Sequence, residues 1–194
     1  MFEFNRWITG GARPHAAQTE PAELHGDSVA LRRIADLESA DFKALSRFLM
    51  ANPNHWLETQ GRLPTQDDAK QVVMDLPQGA KPAQKYVWGV WQGDTMIGML
   101  ACLREWPQGQ HLYIVHLIIG ERWQRHGHGR AVLKLLAERT RSWAKVHRWR
   151  LAVLPTEDRA VAFWRAMGFL DTGRRSIVKS YAARLMVMEK AVGR

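Results

Sequence analysis

Two spacings of apolar residues alternate along this chain, and the points where one gives way to the other delimit its elements. Regularity starts at Ser28, where Val29-Ala30-Leu31 with Ile34 predicts a first strand. Over residues 38–50, Phe42, Leu45, Phe48 and Leu49 share one face of a helix. The stretch 52–64 (NPNHWLETQGRLP) is rich in turn formers and predicts a loop. Thr65-Gln66-Asp67-Asp68 has the form of a capping box, with Asp68 where Glu or Gln is usual. It opens a helix with Val72, Val73 and Leu76 on one side. The run from Pro77 to Pro82 interrupts the pattern again.

Lys85–Gln92 (KYVWGVWQ) and Thr95–Arg104 (TMIGMLACLR), joined by Gly93-Asp94, predict a β-hairpin. Glu105–Gln110 is a turn, and His111–Ile119 (HLYIVHLII) is a long strand. After a loop over Gly120–His126, a helix is expected from Gly129 to about Lys145, burying Val132, Leu135, Leu136 and Trp143. Arg148–Leu154 is a strand stopped by Pro155. In Glu157–Met167, Ala160, Phe163, Trp164 and Met167 lie at i, i+3, i+4 and i+7, and Gly168 stands where a helix would end. Phe169–Gly173 and Ala183–Glu189 complete the set as strands. Hairpins mixed with helical crossovers predict an α/β (α+β mixed) fold, a mixed sheet with helices on both faces. Residues 1–27 have no clear period and are expected to be an N-terminal tail or docked arm. Residues 28–194 are expected to form a single domain.

Composition narrows the class. With 46% hydrophobic residues the chain can build a core. No apolar run reaches the ~18 residues of a membrane helix, and MFEFNRWITGG lacks a signal-peptide core, so a cytoplasmic protein is expected. A single cysteine, Cys102, excludes an intramolecular disulfide framework, and no metal site is expected. The net charge of +9 is focused: residues 120–150 hold nine Lys and Arg against two Glu. Such a focus attracts phosphates, nucleic acid, acidic lipid or an anionic cofactor.

One motif lies inside that focus, Gln124-Arg125-His126-Gly127-His128-Gly129-Arg130, between a strand and a helix. Two glycines one residue apart let backbone approach a bulky anion, and the helix start offers unpaired N–H groups and a positive dipole end. This is the chemistry of a pyrophosphate cradle. A nicotinamide fingerprint would need a third glycine where Val132 stands, and an acid within 147–151 (HRWRL). A triphosphate loop would need Gly-Lys-Ser/Thr, which the chain lacks.

Gln-x-x-Gly-x-Gly in this setting resembles the acetyl-CoA signature of the GNAT N-acetyltransferase superfamily. Ala160-x-x-Phe163-Trp164-x-x-x-Gly168-Phe169 is similar to the same family's Ala-x-x-Phe-Tyr-x-x-x-Gly-Phe segment. The resemblance covers 28–190 in element order and implies a GNAT-like, mostly antiparallel sheet splayed in its middle, with acetyl-CoA as co-substrate in the cleft. It implies that Leu117, Ile118 and Ile119 pair with the pantetheine arm. It also implies that Gln124, Arg125, His126, Gly127, His128, Gly129 and Arg130 hold the pyrophosphate, with Phe163 and Trp164 beside the cofactor. The activity implied is acetyl transfer from acetyl-CoA to a primary amine of a small molecule or protein, by a monomer or homodimer.

A protonated amine has no lone pair, so a base or a water chain must take its proton. Glu105, His111 and His116 are the candidate bases. Trp164 stands where the family often has an acidic tyrosine, and an indole cannot protonate a leaving thiolate. Tyr113 is then either the acid or a core residue, and thiolate departure without an acid is the alternative. The acceptor side implied by the resemblance comprises 50–64, with His55 and Trp56, and the basic loop 174–182. Trp56, Trp88, Trp91 and Trp106 are candidates to line it. Two other readings stay open: a nucleic-acid (tRNA) binder or modifier on the same fold, not favoured because cofactor phosphates absorb part of the charge, and a non-catalytic acyl-CoA sensor.

Overall fold

A computed structural model describes residues 23–177 and 184–192. Eight strands form one sheet: β1 Glu23–His25, β2 Ala30–Arg33, β3 Lys85–Gln92, β4 Thr95–Arg104, β5 His111–Ile119, β6 Arg148–Val153, β7 Leu170–Ser176 and β8 Leu185–Ala191. Their spatial order is β1-β2-β3-β4-β5-β6-β8-β7. Every neighbouring pair is antiparallel except β5 and β6. Among the described residues five α-helices accompany them: α1 Ala40–Ala51, α2 Asn54–Gln60, α3 Gln66–Met74, α4 His128–Thr140 and α5 Asp158–Ala166.

Strand alternation sends successive side chains to opposite faces and so sorts the core. Tyr86, Trp88, Val90, Leu100, Cys102, Leu112 and Ile114 pack with α4 and α5 on one face. Val87, Met99, Ala101 and Ile118 pack with α1, α2 and α3 on the other. The mixed sheet with helices on both faces is as expected. Of the expected N-terminal arm, 1–22 lie outside the described residues, and Glu23–His25 pairs with β2 as an edge strand.

Two expectations are corrected. Residues 52–64 are not all loop, because α2 runs through them from Asn54. Pro53 and Gly61, which look like breakers, are its terminators: proline suits a first turn, and Gly61 ends the helix in left-handed backbone at φ 67°. The helix of the phosphate motif stops at Thr140, short of Lys145. Thr140 turns its hydroxyl onto Ala137 O at 3.1 Å, and tight turns from Thr140 to Val146 then bury Trp143 without helix.

The feature that positions the site is in β5. It pairs with β6 only over His111–Ile114, opposite Arg148–Leu151. On its other side the register with β4 jumps, Cys102 facing Ile114 and Ala101 facing His116, so Val115 is the extra residue of a β-bulge. A bulge bends and twists its strand. Past Val115 the strand leaves β6 while staying on β4 as far as Ile119, opposite Gly98. The sheet is therefore splayed between its fifth and sixth strands.

Candidate active site

Beyond the splay the chain enters the phosphate motif. A 3-10 turn covers Glu121–Trp123, and Gln124 Nε2 donates to Ile119 O at 2.9 Å, fastening the loop to the end of β5. Arg125 and Gly127 adopt left-handed backbone, φ 66° and 84°, and Gly127 stands directly before α4. The N–H groups from Arg125 through Arg130 have no hydrogen-bond partner among the described residues. A Cβ built on Gly127 would meet nothing within 4 Å, so the cradle faces open space. One built on Gly129 would come within 3.1 Å of Phe163 Cζ, so the missing side chain lets α5 close on the start of α4. Consecutive free N–H groups at the positive end of a helix, edged by the exposed Arg125 and Arg130, fit a pyrophosphate.

A second cluster lies where β5 leaves β6. His116 presents its ring to the face covered by α1, α2 and α3. There it meets His55 edge-on at 5.4 Å between ring centroids and stacks on Trp56 at 6.3 Å. His116 Nδ1 and His55 Nε2 are both shut off from solvent and have no hydrogen-bond partner among the described residues. Burial pushes His116 well below the ordinary value of 6.5, helped by His55 and the Lys85 ammonium. Burial brings His55 down to about 4. Both imidazoles are therefore neutral at pH 7 and can accept a proton or an N–H.

The support beneath this pair is specific. Trp56 Nε1 donates to Asp68 Oδ1 at 2.9 Å, and Asp68 also receives Arg62 and the Thr65 N–H. Burial would raise the Asp68 carboxyl, but the bonds from Arg62, Thr65 and Trp56 outweigh it and hold the group well below the usual carboxylate range. These bonds anchor α2 and with it His55. Lys85, buried at the start of β3, gives its Nζ to Asp75 O at 2.9 Å, and burial lowers it to about 8.

The other candidates sit elsewhere. Glu105 (φ 56°) lies in the β4–β5 turn, beside Arg104 at 3.1 Å and Lys145 at 3.7 Å. That turn adjoins Leu112, whereas Leu117–Ile119 form the opposite end of β5, roughly 20 Å away at ~3.3 Å per residue. His111 is buried at the same distant end, 3.6 Å from Glu189. Tyr113 is buried edge-on against Trp106 at 5.1 Å, where β5 is still paired on both sides. Trp164 is buried against Phe169 at 5.1 Å, while Phe163 reaches the loop through Gly129. Of the tryptophans considered for an acceptor wall, only Trp56 joins the cluster. Trp88 is in the opposite core, Trp106 packs on Tyr113, and Trp91 lies under the Arg32 guanidinium at 4.5 Å. Of the loop 174–182, Arg174 and Arg175 belong to β7, and 178–182 lie outside the described residues. A groove of about 760 Å³ between α1, the β3–β4 turn and the 3-10 turn includes neither His55 nor His116.

His55 is the residue sequence reasoning undervalued. Its signal was the helix hidden between Pro53 and Gly61. Among the described residues, no helix is long and apolar enough to cross a membrane.

Residues 44–169 match the model of the Acetyltransferase (GNAT) family. No curated protein matches the chain. Among solved structures, an acetyltransferase from Thermus thermophilus is 21% identical with a TM-score of 0.64, covering 85% of this chain and 97% of its own. An acetyl transferase from Salmonella typhimurium that modifies the N-terminal serine of ribosomal protein L7/L12 is 16% identical, TM-score 0.68, covering 87% and 97%. RimL, a ribosomal L7/L12 alpha-N-protein acetyltransferase in complex with coenzyme A, is 15% identical, TM-score 0.67, covering 89% and 97%. With its splayed sheet and a family match over most of its length, the chain belongs to the GNAT acetyltransferase family.

Proposed function

We propose that the protein is an N-acetyltransferase moving an acetyl group from acetyl-CoA directly to a primary amine of a small molecule or protein. The observation that carries this is the row of unpartnered N–H groups from Arg125 to Arg130, opening onto free space at the end of a half-paired strand. Acetyl-CoA supplies the activated acetyl group. The cradle and its arginines bind the pyrophosphate, and the free edge of Leu117–Ile119 offers backbone donors and acceptors to the pantetheine arm. His116, at the start of that free edge, accepts the proton of the attacking amine at Nδ1. N–H groups on the same edge face the charge that develops on the carbonyl oxygen. Cys102 is fully buried in the core, which favours direct transfer over an acyl-cysteine. Glu105 and Tyr113 take no part in this scheme because of where they lie.

Titration calorimetry with acetyl-CoA, followed by thiol-release assays across small amines and peptides, tests the reading. Binding followed by amine-dependent thiol release is expected. No binding at tens of micromolar sinks both the enzyme and the sensor, whereas binding without release to any amine leaves the sensor. Peptides belong in the panel because two of the similar structures act on a ribosomal protein.

A further inference from the structure

We propose that His55 and His116 form a dry seat for an acceptor amine that arrives already unprotonated, so the enzyme selects amines of α-amino basicity over lysine side chains. This rests on the acetyltransferase reading above.

The geometry leads to it. α2 brings His55 over β5 at the point where pairing with β6 ends, and the two rings meet edge-on. Each presents a solvent-shielded nitrogen without a partner. A buried polar atom left unpaired is costly, and two in one place match a ligand with more than one N–H to give. With the ring proton on Nε2 of His116 and on Nδ1 of His55, these two nitrogens are acceptors, and a neutral primary amine has two N–H groups for them while keeping its lone pair for the thioester. An ammonium ion has no lone pair to attack with.

The surrounding charges disfavour the ammonium form. Facing His116 are His55 from α2 and, from β3, the Lys85 ammonium, whose Nζ is held by the Asp75 carbonyl at the end of α3. Asp68, behind Trp56, is engaged by Arg62. Glu58, one turn along α2 from His55, is raised by burial and by Glu157 and Glu121, with Arg159 opposing, which places it toward those outer residues. Among the described residues no carboxylate acts on the two imidazoles, and the fixed charge that does act on His116 is the Lys85 ammonium, itself partly offset by the Asp75 carboxylate. The seat is also a weak base: with His55 near 4, a lysine ammonium near 10.4 would have to give up its proton against an equilibrium of about one in a million. An α-amine, with pKa near 7.8, is already about one-third neutral at pH 7.5, against about 0.1% of a lysine amine.

Two matched peptides test this with the intact enzyme and acetyl-CoA, one with a free N-terminus and acetylated lysine, the other with the reverse. Glycinamide and propylamine repeat the comparison without peptide fit. The expected result is an α-amine kcat/KM at least about thirtyfold higher at pH 7.5, with the gap narrowing about fourfold by pH ~8.5 as the ε-amine deprotonates. His55→Gln is expected to lower amine kcat/KM at least about tenfold while acetyl-CoA affinity and Tm stay as in the parent. Equal or better use of the ε-amines at pH 7.5, a pH-independent preference, or unchanged kinetics in His55→Gln overturns the inference alone. Thiol release that no amine in the panel increases overturns the acetyltransferase reading and this inference with it.

Discussion

Substituting Gly127 by aspartate separates the phosphate cradle from the fold that carries it. Gly127 is left-handed at φ 84°, and no atom lies within 4 Å of the Cβ that Gly127→Asp would add. The backbone effect is small, about 1 kcal/mol for a non-glycine residue in this region. The effect on the cofactor is large, because a carboxylate would take the place of phosphate oxygens before the N–H groups of Arg125 to Arg130. Each charge-assisted hydrogen bond contributes roughly 1.5–3 kcal/mol. Losing two costs about 3–6 kcal/mol, which at ~1.4 kcal/mol per tenfold weakens binding roughly 100- to 10,000-fold. Gly79→Asp is the matched control, since Gly79 has φ 81° and equally empty surroundings in the connection between α3 and β3. Thermal melting should show similar losses for the two variants, about 2–4 °C each. Calorimetry should show lost acetyl-CoA affinity for Gly127→Asp alone. A folded Gly127→Asp that binds within about threefold of the parent refutes the cradle.

Outcomes at three other positions follow from the same geometry. Glu105→Gln should leave kcat/KM and the pH–rate profile as in the parent, because its turn lies at the far end of β5; a shifted profile would return Glu105 to the chemistry. Asp68→Ala should lower stability by about 2–3 kcal/mol in denaturant titration, since it strips partners from Trp56, Arg62 and the Thr65 N–H. The folded Asp68 value lies below its ordinary 3.8, so its stabilisation is present above pH ~4 and lost as pH falls. Asp68→Asn should accordingly flatten the acid side of the Tm–pH curve. Gly129→Val should loosen the contact between α4 and α5, costing about 1–3 kcal/mol by melting, because its Cβ would fall 3.1 Å from Phe163 Cζ.

What was legible in the sequence is what local pattern encodes. The hairpin of Lys85–Arg104, the strand His111–Ile119 and the helix pairing Phe163 with Trp164 carry their spacing in adjacent residues, and the structure places them as expected. The left-handed turn at Gly127 before α4 was equally plain, because a glycine at a strand–helix junction has a local conformational meaning. The illegible parts depend on distance. α2 has seven residues, too few for a periodic stripe, and its terminators look like breakers. The bulge at Val115 leaves no mark in a continuous apolar run, yet it decides which residues of β5 flank the cleft. His55 and His116 meet across 61 positions, on a helix whose Trp56 is tied to Asp68, and no local signal announces that. For Trp164 a motif gave the position, and the structure adds that its ring is buried against Phe169.

The half-paired strand has a consequence for how the protein reports its own state. Over Leu112–Ile114 the backbone is held from both sides, whereas over His116–Ile119 only the β4 side is held. Amides of the second stretch that point away from β4 are expected to exchange with deuterium far faster than those in the doubly paired stretch a few residues away. Filling the cleft would cover them. One peptide spanning Tyr113 to Ile119 thus contains both a slow internal reference and an occupancy signal, readable by mass spectrometry without label, variant or turnover.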